Sequence, residues 1–491
     1  MRAVWAECRR RIAACSATRT HLTPDSGLPA GRVDGAPSPS LGRGKGGEVA
    51  PADVGGAARP RGRRSTPALL LLALLYAAAV PAAGEVRHEL PNGMQVIVSP
   101  SPATEVVAAE LMLRIPAADE PPDQAGIRYL THQLLLRGSQ ASSGDALGEQ
   151  LASVGGSIGV SVGLDYVEVH VLAPADGFET ALGVMAESVR TPAFLPEEIE
   201  RGKQSLFASV RGDDEDPFQA VYLALRQALY GDSPYGRRTQ GDPEAVAALT
   251  RDDLVSFHRA HYVPRRAVLA IAGGVTGAQA MGAAEQYFGG WSDGPATVAD
   301  PPEMPALRLS DVVVRELPAH HAYLMLAVPA PAAGGPHYYA MQVIDSILGA
   351  GTGARLPQAL REELGLAYDV SSFFPTLLGD SHLGVYVTTE PNRLTPVKDA
   401  IVQELERLRQ EPVPADELAR AKRLLLAAHA MSRQRALSQA YWMAWCSLLG
   451  LGPDADQQYQ RGVESVTPAD IQATARDFMD HFVLALALPR D

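Results

Sequence analysis

Cysteine is nearly absent from this 491-residue chain: Cys8, Cys15 and Cys446 are the only three. The first two lie in a stretch argued below to be removed, which leaves one thiol. A single cysteine supplies neither a disulfide framework nor a Cys-based metal site. Positive charge is also scarce. The formal net charge is −13, and residues 1–83 hold 12 basic against 5 acidic residues, so the remainder carries 31 basic and 51 acidic, a balance of −20. Phosphate backbones and anionic lipid surfaces require clustered positive charge, so the body should repel both. An acidic balance excludes partners better than it names one. What is plentiful is ordinary globular material. Hydrophobic residues make up 46% and charged residues 20%, enough for large cores, and the length suggests about two to four domains.

Residues 1–60 are rich in Gly, Pro, Ala, Ser and Arg and show no apolar period. The stretch RPRGRRSTPALLLLALLYAAAVPAAGEV follows. Arg59, Arg61, Arg63 and Arg64 form a positive n-region, and Ala68–Val80 is an apolar run of signal-peptide length. That run falls short of the roughly 20 residues a membrane helix needs. Small residues follow, with cleavage expected near Ala82 or Ala83; the alternative is an uncleaved anchor. A signal so far from Met1 implies a translation start nearer residue 50. Export without a disulfide framework fits a periplasmic or secreted bacterial protein.

The body beyond Val86 reads as one unit repeated twice. LPEEIERGK (Leu195–Lys203) matches VPADELARAK (Val413–Lys422), with Ile199-x-Arg201-x-Lys203 over Leu418-x-Arg420-x-Lys422. LTRDDL (Leu249–Leu254) matches VTPADI (Val466–Ile471), and the two markers are 55 residues apart in the first copy and 53 in the second, counted from Ile199 to Leu254 and from Leu418 to Ile471. In each copy a threonine, Thr250 or Thr467, is placed to cap a helix, with Asp253 or Asp470 completing a capping box. Two homologous domains are expected, 86–295 and 308–491, joined by a Pro-rich linker over 296–307.

Within the repeats, MQVIVSP (Met94–Pro100), EVVAAELMLRI (Glu105–Ile115) and YVEVHVLA (Tyr166–Ala173) alternate as strands do, the last with Val167, Val169 and Val171 on one face. Phe178, Leu182, Met185 and Val189 recur at helical spacing. So do Ile401, Leu405 and Leu408, after Thr395 as expected N-cap and Pro396 at the first helical position. The expected fold class is α+β: two homologous domains, each a mainly antiparallel sheet with helices packed on one face.

Several segments in order, LPNGMQVIVSP, AGIRYLTHQLLLRGS, LPEEIERGKQSL, the run from Tyr230 to Gly274, and GAGTGARLPQALREELGLAYDVSSFF, resemble the insulinase/pitrilysin-type zinc peptidases, close to the mitochondrial-processing-peptidase branch. They cover nearly all of residues 86–491. The resemblance implies two α+β halves per chain and a pair of chains or units enclosing a chamber. The family's chemistry rests on H-x-x-E-H: two histidines one helical turn apart bind zinc, and the glutamate is base for the metal-bound water. A downstream glutamate is the third ligand.

Laid on this motif, the first histidine position is Tyr129, the base position is His132, the second histidine position is Gln133, and the third ligand falls near Ser209. A phenol with a pKa of about 10 and a neutral amide are poor zinc donors, and a catalytic zinc needs about three good ones. The neighbours of His132 one turn away, Arg128 and Leu136, offer no ligand. No metal and no catalytic residue are therefore expected in this chain, and His132 is read as a polar residue on a structural helix. His258 and His261, three apart, are assigned to packing or surface. His320 and His321, being adjacent, would point to opposite faces of a strand.

The second half differs. Arg361 and Tyr368 stand seven apart in LREELGLAYDV. From spacing alone, Arg361 would pair with a carboxylate such as Glu362 or Glu363 and Tyr368 would be core. The resemblance implies instead a substrate-binding Arg/Tyr pair, the guanidinium holding a peptide carbonyl and the phenol donating to a developing oxyanion. The Gly-rich LGAGTGARL (Leu348–Leu356) lacks the Lys-Ser/Thr of a phosphate loop and reads as a flexible turn leading to Arg361.

Loss of the zinc half with retention of the substrate half implies a noncatalytic, substrate-binding subunit of a heterodimeric zinc endopeptidase. Zinc and an intact H-x-x-E-H would belong to a homologous partner subunit, and the substrate would be a peptide. The alternatives are an inactive binding or scaffold homologue with no peptidase partner, and a self-sufficient enzyme with an unrecognised site. Sequencing of the mature chain's N-terminus tests the export reading: a start at about residue 83 or 84 is expected, and a chain beginning at Met1 would refute it.

Overall fold

Alternating apolar strands pair into two sheets, each drawn from one half of the chain. The structure, a computed structural model, describes residues 85–490 apart from 293, 295–296, 306–311, 318 and 352. The run Ala68–Val80, the expected cleavage site and part of the expected linker lie outside the described residues. Among the described residues, no helix is long and apolar enough to cross a membrane.

The first sheet contains β1 (Val86–Glu89), β2 (Gln95–Pro100), β3 (Val106–Leu113), β4 (Ser157–Val162), β5 (Val167–Pro174) and β6 (Ala267–Gly273), in the order β1-β2-β6-β3-β5-β4. The second contains β7 (Val312–Leu317), β8 (Ala322–Ala330), β9 (Asp369–Phe373), β10 (Ser381–Thr389) and β11 (Val483–Pro489), in the order β7-β11-β8-β10-β9. One pair in each is parallel, β2 with β6 and β7 with β11; the other pairs are antiparallel. Leaving out β1, the two sheets have the same strand order and directions. The sequence duplication is thus a duplication of topology, in which the last strand of each half returns beside its first.

The first half's helices are α1 (Ile127–Leu134), α2 (Gly144–Ser153), α3 (Phe178–Arg190), α4 (Pro196–Glu215), α5 (Pro217–Tyr230), α6 (Pro243–Ala248), α7 (Arg251–His261) and α8 (Gly277–Phe288). The second half's are α9 (Tyr338–Gly349), α10 (Leu394–Gln410), α11 (Ala415–Ser432), α12 (Ala436–Leu448), α13 (Ala455–Ser465) and α14 (Pro468–Phe478). On one face of the first sheet, Val167, Val169 and Val171 share a core with Phe178, Leu182, Met185 and Val189 of α3. On the matching face of the second sheet, Leu324, Leu326 and Val385 share a core with Ile401, Leu405 and Leu408 of α10. This is the one-face packing that the alternation implies.

The opposite faces are also covered, and by helices of the other half. Ile97, Ala108, Met112, Ala270 and Ala272 of the first sheet pack with Ala440, Met443, Ala444 and Trp445 of α12. Met325, Ala327, Val483, Ala485 and Ala487 of the second pack with Val221, Ala224, Leu225 and Leu229 of α5. The alanines on these faces leave room for a helix to lie close. The chain reaches each position by a break after a long helix. Pro217 cannot continue α4, and the Asp216 carboxylate accepts from the Gln219 backbone N–H at 2.9 Å to restart the chain as α5.

Polar contacts fasten the crossings. The Tyr166 and Tyr441 hydroxyls meet at 2.7 Å. Buried His382 of β10 lies between the hydroxyls of Tyr230, 2.8 Å from Nδ1, and Tyr222, 3.3 Å from Nε2.

The paired sequence markers touch one another. Both capping boxes form, with the Thr250 and Thr467 backbone N–H groups each donating to an aspartate at 2.8 Å. Lys203 donates to Leu249 O at 2.8 Å and Lys422 to Glu464 O at 2.7 Å. Each lysine thus reaches carbonyls at the end of the short helix before the capped threonine, where a cation also complements the helix dipole. Thr395 is not an N-cap. A 3₁₀ turn over Pro391–Arg393 runs into α10, so the helix begins at Leu394 with Arg393 at the cap position.

Trp445 is 4% exposed at the crossing of α12 over the first sheet. Trp445→Ala should cost about 3–5 kcal/mol through lost burial and the cavity left behind. Urea unfolding should show a lower midpoint with an unchanged slope; an unshifted midpoint would mean that α12 does not hold the first sheet.

Candidate functional site

Helix α1 is set in place by its first turn. Gly126 adopts φ +107°, and a Cβ there would lie 2.4 Å from the Val246 side chain and 2.7 Å from Gln240 O. Buried Glu120 accepts from the backbone N–H of Gly126 at 2.9 Å and of Arg128 at 3.0 Å. A carboxylate there satisfies otherwise orphaned amides and complements the helix dipole.

From this start, Tyr129 and Gln133 share one face of α1 and meet Ser209 of α4. The three line a cavity of about 50 Å³ together with Arg137 and Ser205. The positions assigned to metal ligands are therefore brought together, and they supply a phenol, an amide and a hydroxyl. Burial and nearby Asp213 push the Tyr129 phenol above its ordinary range, so it is not a ready phenolate ligand. This donor set does not fit a catalytic zinc. Asp213, one turn beyond Ser209, is close enough to act on Tyr129, and its Oδ2 accepts from Gln240 at 2.6 Å. A larger cavity of about 260 Å³ adjoins, lined by Tyr129, Asp213, Tyr222, Arg226 and Arg238 among others.

His132, at the base position, faces away into the core. It is wholly buried and both ring nitrogens are engaged: Nε2 donates to Glu168 O at 2.8 Å and Nδ1 accepts from the Tyr262 hydroxyl at 3.1 Å. Burial lowers its pKa to about 4. Arg128, one turn back, is equally buried and donates to Gly163 O at 2.6 Å. His132 is a satisfied core histidine. His258 is another, donating through Nε2 to Val189 O at 2.8 Å and stacking on Tyr262. His261 lies 3.3 Å from Asp119, which also pairs with Arg266. His320 and His321 sit in a bend before β8 rather than on a strand, and the His321 ring is 4.8 Å from that of Tyr368.

Arg361 belongs to a π-helical segment, Pro357–Glu363, that follows the Gly-rich turn. It is partly exposed and its Nε donates to Glu362 Oε1 at 3.0 Å, the local pairing that spacing alone suggested. Tyr368 is not core. It is 54% exposed just before β9, and its hydroxyl donates to Glu390 Oε1 at 3.0 Å. That carboxylate pushes the phenol's pKa up and keeps it a proton donor. Among the described residues no hydrogen bond or ring contact joins Arg361 to Tyr368.

One group escaped the reading of the sequence. Glu110, Glu168 and His170 bring three ligand-type atoms within 4.8 Å of one another on the sheet face beneath α12. Its signal was present: a glutamate inside the apolar strand EVVAAELMLRI, and Glu168 and His170 alternating with the core valines. That alternation reads as a solvent-facing side until α12 is known to cover it.

A duplicated sheet-and-helix unit, with a helix pair meeting at a small polar cavity, defines the class as a two-sheet α+β fold built by duplication. The sequence profile of the insulinase family (peptidase family M16) matches residues 95–242, and that of the peptidase M16 inactive domain matches residues 248–425. An uncharacterized zinc protease of Mycobacterium leprae is 26% identical over 347 residues, covering 70% of this chain and 78% of its own. YmxG, an uncharacterized zinc protease of Bacillus subtilis, is 24% identical over 337 residues, covering 68% and 81%. Among solved structures, a protease from Helicobacter pylori is similar with a TM-score of 0.78 at 18% identity, over 83% of this chain and 100% of that one. A peptidase M16 inactive domain from Pseudomonas fluorescens gives 0.74 at 22% identity, over 83% and 98%. The chain belongs to the insulinase/pitrilysin-type (M16) peptidase family.

Buried neutral histidines make stability pH-dependent. Burial lowers the pKa to about 4 in His258 and to about 3 in His382, whereas an unfolded histidine titrates at about 6.5. Below that value the unfolded chain takes up protons that the fold refuses. The contribution of these histidines to stability is therefore full above about pH 6.5 and falls progressively toward pH 4. His258→Gln should make the loss shallower by about 1–3 kcal/mol between pH 7 and 4. Urea midpoints at several pH values check this; parallel curves for variant and parent would refute it.

Proposed function

We propose that this chain is the noncatalytic, substrate-binding subunit of a heterodimeric, periplasmic zinc endopeptidase that degrades or processes peptides. One contrast carries the reading. The positions that would hold zinc are occupied by Tyr129, Gln133 and Ser209, with His132 spent in the core, while Arg361 and Tyr368 remain at the surface. Tyr368 is exposed and keeps its proton, and by turning its hydroxyl from Glu390 it would donate to a peptide carbonyl. Arg361 needs only to leave an exposed neighbouring carboxylate to present its fork of donors, and exposed ion pairs are weak.

The partner is a homologous subunit with an intact H-x-x-E-H, and it supplies the zinc that activates water. Its first domain would face the second domain of this chain across the substrate. Relatives named as zinc proteases support a proteolytic setting. The acidic body supports a peptide rather than a nucleic-acid or membrane partner. The run Ala68–Val80, read as an export signal, supports the periplasm.

Purification of the tagged chain from its native cells should recover a stoichiometric homologue bearing H-x-x-E-H. In that complex, Arg361→Ala and Tyr368→Phe should each lower peptidase activity about 10- to 100-fold without dissociating the subunits, as loss of a transition-state donor does. Full activity in both variants would sink the substrate-binding role. Recovery of the chain without such a homologue would favour an inactive scaffold.

A further inference from the structure

A partly buried cluster between the halves, with Glu110 buried and Glu168 and His170 half-buried, has no part in the proposed substrate site. Glu110 of β3 stands opposite His170 of β5 in the antiparallel register. Glu168 lies two residues before His170 and so shares its face of the sheet. The ligand atoms of all three lie within 4.8 Å of one another. Ala108 and Met112 flank Glu110 on the face covered by Ala440, Met443, Ala444 and Trp445 of α12.

Each carboxylate keeps one buried oxygen without a partner, although the Ser161 side chain hydrogen-bonds Glu168. Glu110 is 1% exposed and its Oε1 has no hydrogen-bond partner. Oε2 of Glu168 is also buried and unpartnered. Among the described residues, no lysine or arginine forms an ion pair with either. Two carboxylates this close in a low-dielectric interior are unfavourable unless a positive charge or a proton joins them.

The surroundings are shaped for the imidazole. Gly159 of β4 pairs with His170, and a Cβ on Gly159 would fall 2.5 Å from His170 Nε2. The glycine leaves the space in which the ring lies. Above the cluster, the Tyr166 and Tyr441 hydroxyls form their 2.7 Å contact.

We propose that Glu110, Glu168 and His170 form a binding site for one divalent first-row cation of the Zn²⁺ or Mn²⁺ kind. Two carboxylate oxygens and one imidazole nitrogen are the donor types such ions take, with water completing the shell. The cation neutralises both carboxylates. The Tyr166–Tyr441 pair offers outer hydrogen bonds and links the site to α12. All three ligands come from β3 and β5 of the first half, so the ion neutralises charge on the sheet face that α12 of the second half covers.

The test is a calorimetric titration of the chelator-stripped full chain with Zn²⁺ and, separately, with Mn²⁺. One ion per chain is expected for at least one of them, with a dissociation constant below about 10 µM. Glu110→Gln and His170→Ala should each weaken binding at least about 10-fold. The bound ion should raise the melting temperature of the parent but not of the variants. Gln133→Ala with Ser209→Ala should leave the titration unchanged, which separates this site from the zinc position on α1. Cobalt(II) absorption of the parent chain gives a reading that does not depend on variants: intensified bands of a protein-held, low-coordinate ion are expected. An aquo-like spectrum, absence of binding by both ions, or binding equal in parent and both variants would overturn the site. A proton shared between the glutamates would then be what neutralises them.

Discussion

Both faces of both sheets carry apolar side chains that need cover, and that constraint organises the molecule. A sheet half covered by its own helices would leave Ile97, Met112, Ala270 and Ala272 on one side, or Met325, Val483 and Ala485 on the other, against water. Each large apolar side chain so exposed forfeits about 1.5–3 kcal/mol. The remedy is reciprocal: the first half lends α5 and the second lends α12. Neither half can then bury its sheet alone, so the duplication is not a pair of independent beads. The polar contacts at the crossings, Tyr166 with Tyr441 and His382 between Tyr222 and Tyr230, add direction to a contact that hydrophobic burial alone would leave free to slide.

The same frame accounts for how α1 keeps its place. What holds α1 is the close approach at Gly126, the Glu120 carboxylate on its first amides and the inward-facing Arg128 and His132. None of these contacts requires zinc. Tyr129, Gln133 and Ser209 can therefore occupy the ligand positions while helix placement is retained. A tyrosine fills space that an imidazole and its ion would otherwise take, which suits the small volume left between α1 and α4. In the second half, Arg361 pairs with neighbouring Glu362, and Tyr368 with Glu390 and the half-buried His321 ring.

Much of the architecture was legible because its signals are local. Val167, Val169 and Val171 announce a strand with one core face, and the capping boxes at Thr250 and Thr467 announce helix starts, because a side chain reaching its own backbone three residues on needs no tertiary partner. Thr395 misled for an equally local reason. A threonine followed by proline is a good helix start, but the 3₁₀ turn at Pro391–Arg393 already supplied one. The poor ligand chemistry of Tyr129, Gln133 and Ser209 was readable from residue type. The fate of Tyr368 was not: spacing suited a core position, and only the path of the chain before β9 left it exposed.

By itself, then, the sequence determined the repeat, the alternation of strands and helices, the family and the poverty of the zinc donors, since each depends on residue type and spacing along the chain. Tertiary structure alone decided which halves exchange α5 and α12. It also turned the polar side of EVVAAELMLRI and YVEVHVLA into a covered, partly buried cluster of Glu110, Glu168 and His170. Period-two alternation says which residues share a face. It does not say what will cover that face, because the covering helix lies in the other half of the chain, more than 250 residues away.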